Sequence, residues 1–225
     1  MRVNRWLARA GVTSRRGADA MVTAKRVTVN GQTISDFSFQ VLDGDVVTLD
    51  GVPVEAISDT VIIALNKPRG VTTTLSDPFA KRTITQYIPA GAKGLVPVGR
   101  LDKDSEGLLL MTNDGELVNK LTHPSFEHEK EYIVTTNRSL SNTELEKLAK
   151  GVRLAEGFTG GSDVTRLSRN SFSIILTQGW KRQIRRMVET VGAEVTKLQR
   201  VRIGKLSIDN LAPGRTKVVQ ENDII

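Results

Sequence analysis

The chain has 225 residues, of which 39% are hydrophobic, so it can bury a core in one large domain or in a small and a medium one. It contains no cysteine and only two histidines, which excludes disulfides, thiolate metal sites and a cysteine nucleophile, and makes a histidine-based metal centre or Ser/His/Asp triad a poor hypothesis. No apolar run approaches membrane-spanning length and the N-terminus lacks the apolar stretch of a secretory signal, so we expect a cytoplasmic protein.

The net charge of +7 is concentrated in two segments. Residues 1–31 and residues 177–205 each carry a net charge of +6, so the rest of the chain is negative. Positive charge gathered in blocks is typical of a protein that follows a phosphate backbone, whereas a merely soluble surface mixes both signs. We therefore expect a nucleic acid as the partner. A membrane surface fits less well, because neither segment is an aromatic-rich amphipathic helix.

The first fifty residues predict a small unit of two helices and a hairpin. A helix around Leu7 is followed by a turn and a second helix, which begins after Ser14 because the serine hydroxyl can accept a hydrogen bond from a free helix N–H. A strand then enters the turn Asn30-Gly31, a strong hairpin signal, and another strand is predicted at residues 44–49. Fifty residues form only a marginal core, which indicates a binding module and not the catalyst.

This unit resembles an S4 domain, a small module that binds structured RNA. The residues that carry the resemblance are Arg5, Leu7, Gly11, Ser14, Arg15, Ala18, Val27, Val29, Asn30, Gly31, Gly44 and Asp45. Lys25 stands where the family has a helix-ending glycine and Gly17 where it has a good helix former, so we expect a less stable second helix. The resemblance implies a basic RNA-binding face, for which we predict Arg2, Arg5, Arg9, Ser14, Arg15, Arg16, Lys25, Arg26 and Asn30.

We divide the chain into an S4-like domain at residues 1–51, a linker at residues 52–59 and a catalytic domain at residues 60–225. The catalytic domain opens with a run at residues 61–65 that is apolar on both faces, which predicts a central buried strand. Further strands are predicted at residues 71–74, 108–112, 132–135, 171–177 and 194–200.

Two helices stand out among these strands. Ser141 and Glu144 form a capping box for a helix that Gly151 ends, and a basic helix is predicted from Lys181 to Val191. Strands in the majority, separated by single helices, predict an α+β fold with a mixed, mainly antiparallel sheet flanked by helices. No glycine-rich phosphate loop follows a strand, so nucleotide-cofactor folds lose support.

Residues 99–107, Gly-Arg-Leu-Asp-Lys-Asp-Ser-Glu-Gly, form a polar loop between two apolar segments. Buried chain on both sides can hold one carboxylate of this loop still. A charged turn between two strands is the alternative, because Asp and Gly favour turns for purely local reasons. Residues 178–187 supply cations that we expect to pair with one of the acids. Asp104 and Glu106, at the polar centre of the turn, more readily shape it than react.

Seven motifs occur in the order and spacing of the RsuA/RluB/RluE/RluF family of ribosomal RNA pseudouridine synthases, which the chain resembles along essentially its whole length. They lie at residues 66–70, 98–102, 106–110, 112–117, 123–124, 130–132 and 182–187. The resemblance implies an isomerase that detaches uracil from its ribose, rotates it and rejoins it through carbon 5, without metal or cofactor. It also implies that the catalytic residues are Asp102, Tyr132 and Arg185.

The chemistry makes these residue types reasonable. Cleaving a uridine glycosidic bond builds positive charge on the sugar, so a fixed, ionised carboxylate at Asp102 can trap or stabilise the sugar carbon. We expect Arg185 to pair with Asp102, with Arg182 as the alternative partner. Tyr132 offers a flat face to uracil, although a core tyrosine is the alternative. Whether Asp102 attacks the sugar, adds to the base or removes a 2′ proton stays open.

A stacked base cannot reach a catalytic group, so we expect the target uridine to be flipped into a pocket. The RNA contacts predicted in the catalytic domain are Lys67, Arg69, Arg100, Trp180, Lys181, Arg182 and Arg186. Trp180 departs from the small polar or basic residue that the family often has, and we predict that it stacks on a flanking base.

Two other functions stay open at this point. A non-catalytic RNA-binding or ribosome-assembly factor would use the same basic segments. A hydrolase that removes the base would need an activated water, for which no second acid or histidine is convincingly placed. The resemblance implies a bacterial protein that acts on ribosomal RNA or a ribosome-assembly intermediate, and residues 128–132 lean towards 23S over 16S rRNA. We expect a monomer, because the partner is a large RNA.

Overall fold

The computed structural model describes residues 1–55, 57 and 59–225. The chain divides into two compact units. The first comprises Met1–Val61, Ile88–Val96 and Thr112–Leu117, and the second comprises Ile62–Tyr87, Pro97–Met111 and Val118–Ile225. Of the predicted linker, residues 56 and 58 lie outside the described residues, and residues 52 and 53 form a strand.

The described part of the chain holds five α-helices and fifteen strands. The helices are α1 (Val3–Arg9), α2 (Arg15–Thr23), α3 (Gly115–Thr122), α4 (Asn142–Lys150) and α5 (Gln183–Glu189). The strands are β1 (Val27–Val29), β2 (Gln32–Thr33), β3 (Val47–Leu49), β4 (Val52–Pro53), β5 (Ile62–Lys67), β6 (Val96–Val98), β7 (Glu106–Thr112), β8 (Lys130–Thr136), β9 (Arg153–Leu154), β10 (Gly157–Phe158), β11 (Asp163–Ser168), β12 (Ser171–Leu176), β13 (Val195–Ile203), β14 (Leu206–Ser207) and β15 (Thr216–Val219). None of the helices in these ranges has the length and apolar character to cross a bilayer.

The first unit packs α1 and α2 with a four-stranded sheet in the order β2-β1-β3-β4. The Ser14 hydroxyl accepts a hydrogen bond of 3.1 Å from the backbone N–H of Gly17, which confirms the predicted start of α2. Asn30 and Gly31 have φ of 51° and 80°, the left-handed pair that a two-residue hairpin turn requires, and the predicted hairpin is confirmed. Lys25 has φ of 58°, so it adopts the conformation that a glycine would take with less strain.

The second unit is organised by a nine-stranded sheet. Its main path runs β11-β12-β8-β13-β7-β5-β15, with β14 paired to β13 and β6 paired to β7. All six residues of β5 are buried, so the predicted central strand is confirmed. β13 runs parallel to β7 and antiparallel to β8. The fold class, α+β with a mixed, mainly antiparallel sheet, is as predicted.

Helices α4 and α5 pack against strands β8, β12 and β13 to form the core of this unit. Leu148 of α4 and Met187 of α5 are almost fully buried with Val134 and Phe172 of the sheet. The capping box at the start of α4 is present in both of its hydrogen bonds and Gly151 ends the helix, as predicted. This core fixes the position of α5 on the sheet. The start of α5 and the turn before it line the cavity described below.

Two predicted elements differ from the structure. Residues 71–74 were predicted as a strand, but only Thr72 forms a bridge, to Thr83, because the backbone N–H of Thr74 donates to the carbonyl of Thr72 at 2.9 Å and this tight turn ends the extended segment. The helix predicted from Lys181 begins at Gln183, because Arg182 has φ of 53° and a left-handed residue cannot continue an α-helix. The α-helices and strands that were not predicted are α3, β4, β6, β9, β10, β11, β14 and β15.

Candidate active site

A cavity of about 400 Å³ opens in the second unit, within the range of roughly 300–1,000 Å³ that small-ligand sites occupy. It is formed by the loop before β7, by β8, by the turn between β12 and α5, and by β13. Its lining residues are Arg100, Leu101, Asp102, Ser105, Tyr132, Leu176, Gln178, Gly179, Trp180, Lys181, Arg182, Gln183, Ile184 and Leu198. The cavity therefore joins an acid, two aromatic rings and three cations over an apolar floor.

The loop that carries Asp102 is tied down on both sides of that residue. Leu101 exchanges two hydrogen bonds with the hydroxyl of Thr73, at 2.7 and 3.3 Å. The backbone N–H of Gly70 donates to the carbonyl of Lys103 at 2.7 Å, and that of Ser105 donates to the carbonyl of Asp102 at 3.1 Å. Asp102 is therefore held at the cavity wall by main-chain bonds, with its own side chain partly exposed.

Asp102 has no ion pair within 4.0 Å among residues 1–55, 57 and 59–225. Arg185 pairs instead with Asp104, at 3.2 Å, and the predicted pairing of Arg185 with Asp102 is wrong. The buried guanidinium of Arg185 also donates to the carbonyls of Asp104 and Val195. Arg185 thus holds the loop at Asp104, two residues after Asp102. It acts on Asp102 itself only by electrostatic attraction without contact.

Asp104 is shared between two arginines. Arg182 contacts both of its carboxylate oxygens at 3.2 Å, and Arg185 contacts one of them. Partial burial alone would raise the pKa of Asp104, but attraction to Arg185 and the hydrogen bond from Arg182 outweigh it, so its pKa is lowered. The ion pairs of Asp104 therefore connect the loop to the start of α5.

Lys67 was predicted to contact RNA, and that prediction is wrong because the residue is fully buried. Its ammonium donates to the carbonyl of Val71 at 2.8 Å and to that of Pro68 at 3.2 Å. Burial lowers its pKa to about 8, against the opposing attraction of Asp104, Asp102 and Glu106. Lys67 therefore places a positive charge on the inner side of the acidic loop and no charge at the surface.

This burial predicts a pH-dependent contribution of Lys67 to stability. In the folded protein Lys67 releases its proton near pH 8, whereas in the unfolded chain it does so near 10.5, so between these values the unfolded state binds more protons. The free energy of unfolding of the wild type should therefore rise relative to that of Lys67→Met as the pH increases from 8 to 10.5. Urea unfolding at four pH values measures this difference. Lys150→Met, at an exposed position, should give a constant offset, and a constant offset for Lys67→Met would contradict the prediction.

The turn that holds Trp180 at the cavity is built by a residue that the sequence analysis did not single out. Gln183 is buried, accepts a hydrogen bond of 2.9 Å from the backbone N–H of Trp180, and returns one of 3.1 Å from its own N–H to the carbonyl of Trp180. Its position at the start of the basic helix α5 is the only sequence signal for this role. Arg186 forms a two-point ion pair with Glu156, at 2.7 and 2.9 Å, which joins α5 to the turn between β9 and β10.

The other residues predicted to contact RNA differ in their solvent exposure and in whether they form ion pairs or hydrogen bonds within the protein. In the first unit Arg2, Arg15, Arg16 and Lys25 are exposed, and Arg9 is half-buried. Arg5 pairs with Glu116 at 2.9 Å, Arg26 pairs with Asp50, Ser14 caps α2, and the Asn30 amide bonds Asp45 at 2.8 Å. In the second unit Arg69, Arg100 and Lys181 are exposed. The exposed set is the basic surface that remains available to a phosphate backbone.

Comparison with known proteins gives a consistent assignment for each segment. The model of the RNA pseudouridylate synthase family matches residues 61–190, and that of the S4 domain matches residues 1–47. The dual-specificity RNA pseudouridine synthase RluF of Escherichia coli K12 is 38% identical over 229 residues, covering all of this chain and 77% of its own. Ribosomal large subunit pseudouridine synthase B of Bacillus subtilis 168 is 35% identical over 229 residues, covering 99% and 93%.

A crystal structure of a pseudouridylate synthase has the same fold. It superposes with a TM-score of 0.72 at 25% sequence identity, covering 99% of this chain and 97% of that one. The similarity therefore extends over both compact units.

Proposed function

Because the chain belongs to the RNA pseudouridylate synthase family, we propose that it isomerises specific uridines of ribosomal RNA, flipping each target base into the cavity at Asp102. The observation that carries this proposal is the cavity itself. It brings Asp102 together with Tyr132 and Trp180, residues that lie tens of positions apart in the chain. Arg100, Lys181 and Arg182 line the same cavity, so phosphates on either side of a flipped nucleotide would meet positive charge.

In the proposed reaction the bond between N1 of uracil and C1′ of ribose breaks, and a bond between C5 and C1′ forms. The proton on C5 is lost to solvent and N1 gains one, so the product is an isomer of the substrate. The carboxylate of Asp102 meets the sugar and stabilises the positive charge that develops at C1′. Tyr132, half-buried against the core, supplies a flat face that holds the detached base beside the sugar.

Arg185 serves this reaction as a positioning residue. Its guanidinium binds the carboxylate and the carbonyl of Asp104, two residues after Asp102. It thereby fixes the position of the loop relative to α5. Its positive charge also attracts Asp102 without direct contact. Asp104 and Arg182 complete this arrangement from the surface side.

Ribosomal RNA, free or in an assembly intermediate, is the proposed partner. The S4 domain at residues 1–47 supports it, since its exposed arginines give a second site for structured RNA. Among ribosomal RNAs we propose a slight preference for 23S over 16S. The name of the B. subtilis relative, a large-subunit synthase, supports this preference.

We propose that Trp180 stacks on a base next to the flipped uridine. The indole is partly exposed at the cavity wall, and its turn is braced by Gln183. Stacking of an aromatic on a base is worth roughly 1–3 kcal/mol, so Trp180→Ala should weaken RNA binding by about 5- to 150-fold and Trp180→Phe by less. Filter binding to the target RNA measures this. Unchanged affinity together with a lower free energy of unfolding would instead make Trp180 a packing residue.

Release of tritium from RNA labelled at C5 of uridine tests the proposed reaction. Transcripts of 23S and 16S rRNA would be incubated with the protein, and solvent tritium, pseudouridine and free uracil measured together. We expect tritium and pseudouridine in equal amounts, with no uracil, and faster release from 23S rRNA. Free uracil would indicate a hydrolase. Binding without tritium release from either RNA, or from assembly intermediates, would indicate a non-catalytic RNA-binding factor.

A further inference from the structure

The hairpin of β9 and β10 carries an exposed aromatic ring beside an arginine. Phe158 is 58% exposed, and its partner in the antiparallel register is Arg153, which is exposed as well. Directly opposed residues of two antiparallel strands project from the same face, so the ring and the guanidinium share one face of the hairpin. Leu154, on the other face, packs against the core. The hairpin therefore presents an apolar ring and a cation side by side to solvent.

A second cation lies at the same ring. A Cβ built on Gly151, which ends α4, would lie 2.9 Å from Cζ of Phe158, so the ring covers the end of this helix. Lys150, the last residue of α4, is exposed there. Within the part of the chain that the structure describes, neither Lys150 nor Arg153 forms an ion pair within 4.0 Å. Cations beside an exposed ring match a nucleic acid strand, which offers both phosphates and flat apolar bases.

The hairpin is attached to the wall of the cavity. A Cβ built on Gly157 would lie 3.7 Å from Cη2 of Trp180, so the hairpin backbone closely approaches the indole. The side-chain amide of Gln178 donates a hydrogen bond of 2.6 Å to the carbonyl of Thr159, directly after β10. Trp180 and Gln178 both line the cavity. The hairpin therefore continues the cavity wall on the side of Trp180.

The exposed ring lies within reach of an RNA strand that leaves the cavity. Phe158 directly follows Gly157, so its Cα lies no more than about 9 Å from the indole of Trp180. Stacked bases are about 3.4 Å apart, so this separation corresponds to roughly two or three nucleotides. Glu156, in the hairpin turn, would repel a phosphate, but its two-point ion pair with Arg186 neutralises that charge. A strand that passes the indole can therefore continue over the hairpin.

We propose that Phe158, Arg153 and Lys150 form a second binding site for the RNA substrate, which takes an unpaired nucleotide roughly two or three positions from the target uridine. This inference deepens the proposed function and rests on it, because it follows the same strand out of the cavity. The ring stacks on the base, and the two cations bind the neighbouring phosphates. A base reaches the ring only when it is unpaired, so the substrate has single-stranded nucleotides on this side of the target.

Photocrosslinking of the wild type tests where the base lies. A uridine dodecamer that contains 5-iodouridine would be irradiated with the protein, and the crosslinked tryptic peptides identified by mass spectrometry. Phe158 is the only aromatic residue in the peptide at residues 154–166, so an adduct there assigns the base to this ring. We expect adducts on that peptide and on residues 170–181, which contain Trp180. Adducts on residues 170–181 without any on residues 154–166 would overturn the site.

Binding of single- and double-stranded probes tests the stacking. Phe158→Ala should bind the uridine dodecamer about 5- to 150-fold more weakly, the range for loss of one stacked base, and Phe158→Trp nearly as tightly as the wild type. Affinity for a duplex of the same length should change by less than about twofold, because paired bases cannot reach the ring. Arg153→Ala should weaken both complexes, whereas Arg169→Ala, at an exposed position between β11 and β12, should weaken neither. Equal losses for Phe158→Ala on both probes would contradict stacking.

Tritium release separates failure of this inference from failure of the proposed function. Phe158 does not touch the reacting atoms, so Phe158→Ala should reach the wild-type rate at saturating RNA and need a higher RNA concentration to do so. A lower saturating rate with an unchanged half-saturating concentration would count against the site. The crosslink needs no variant, so it decides the position of the base even if Phe158→Ala does not fold. A crosslink on residues 154–166 without tritium release from the wild type would overturn only the proposed reaction.

Discussion

Asp102→Asn should lower the rate of pseudouridine formation by on the order of 10⁴-fold, which corresponds to about 5 kcal/mol of lost transition-state stabilisation. Asn has nearly the same shape, and the main chain of the loop is held by hydrogen bonds from the Thr73 hydroxyl and the Gly70 N–H, so its geometry should survive. What is lost is the negative charge that meets the positive sugar carbon. Affinity for RNA should be unchanged or slightly higher, because a negative charge is removed from a site that binds phosphates.

The other two acids of the loop provide matched controls for this result. Glu106→Gln makes the same change at a residue that pairs with Lys197 at 3.0 Å near the surface, so its rate should stay within about threefold of wild type. Asp104→Asn removes the ion pairs with Arg182 and Arg185, and its effect on the rate should lie between those of the other two variants. Single-turnover tritium release and filter binding on the same RNA give rate and affinity separately. If Asp104→Asn were inactive and Asp102→Asn active, the catalytic role would belong to Asp104.

The elements that could be predicted from the sequence are those that local interactions determine. The Ser14 cap, the Asn30-Gly31 turn and the capping box of α4 each depend on residues within four positions of one another. The buried strand β5 was predictable because an apolar run without alternation has to lie inside a sheet. By contrast the two-residue strands β9, β10 and β14 are too short to leave a periodic pattern in the sequence.

The partner of Arg185 could not be predicted because it depends on how the loop at residues 99–107 is positioned along α5, and the two segments are distant in the sequence. Asp102, Asp104 and Glu106 alternate along one loop, and the sequence contains no measure of which of them faces α5. Lys67 was mistaken for a surface cation because the polar Asn66 separates it from the apolar run of residues 61–65, although it is the last residue of the same buried strand, β5. A lysine at the end of a central strand remains inside when backbone carbonyls, here those of Val71 and Pro68, are there to receive it.

The residues that line the cavity could be predicted better than the interactions that position them. The motifs indicated Asp102, Tyr132 and Arg182, Trp180 was predicted beside them, and all four residues line the cavity. The catalytic roles of Asp102 and Tyr132 stay predictions, and the interactions that hold the cavity in shape were largely hidden. Gln183 and Thr73 act through hydrogen bonds to backbone groups of other segments, and such bonds have no signature in composition or periodicity.

Gly107→Ala should be the most destabilising single-methyl change near the site. Gly107 has φ of 103° and lies opposite Arg200 where β7 and β13 run in parallel. A Cβ there would lie 2.2 Å from the carbonyl oxygen of Arg200 and 2.8 Å from its nitrogen, both backbone atoms. The left-handed backbone adds strain of its own, so we expect a loss of at least about 3 kcal/mol in the free energy of unfolding and a melting temperature lower by roughly 6–12 °C.

Two glycines separate the clash from the strain in this prediction. Gly160 has φ of 71° and no atom within 4 Å of an added Cβ, so Gly160→Ala should show the backbone strain alone, about 1–2 kcal/mol. Gly115, in the first turn of α3, has an open Cβ position, so Gly115→Ala should be neutral or slightly stabilising. Calorimetry on the three variants measures the difference. Equal losses for Gly107→Ala and Gly160→Ala would mean that β7 and β13 can separate freely.

Free separation of these strands is not expected, because β13 is held from both sides. It pairs with β8 along most of its length, and the buried Arg200 side chain donates to the carbonyl of Leu108 in β7 at 2.7 Å. A methyl at Gly107 therefore has to push β7 away and weaken this bond, and β7 begins directly after the loop of Asp102. The displacement should reach the cavity, so Gly107→Ala should also slow tritium release by at least about 10-fold at a temperature where the variant is still folded.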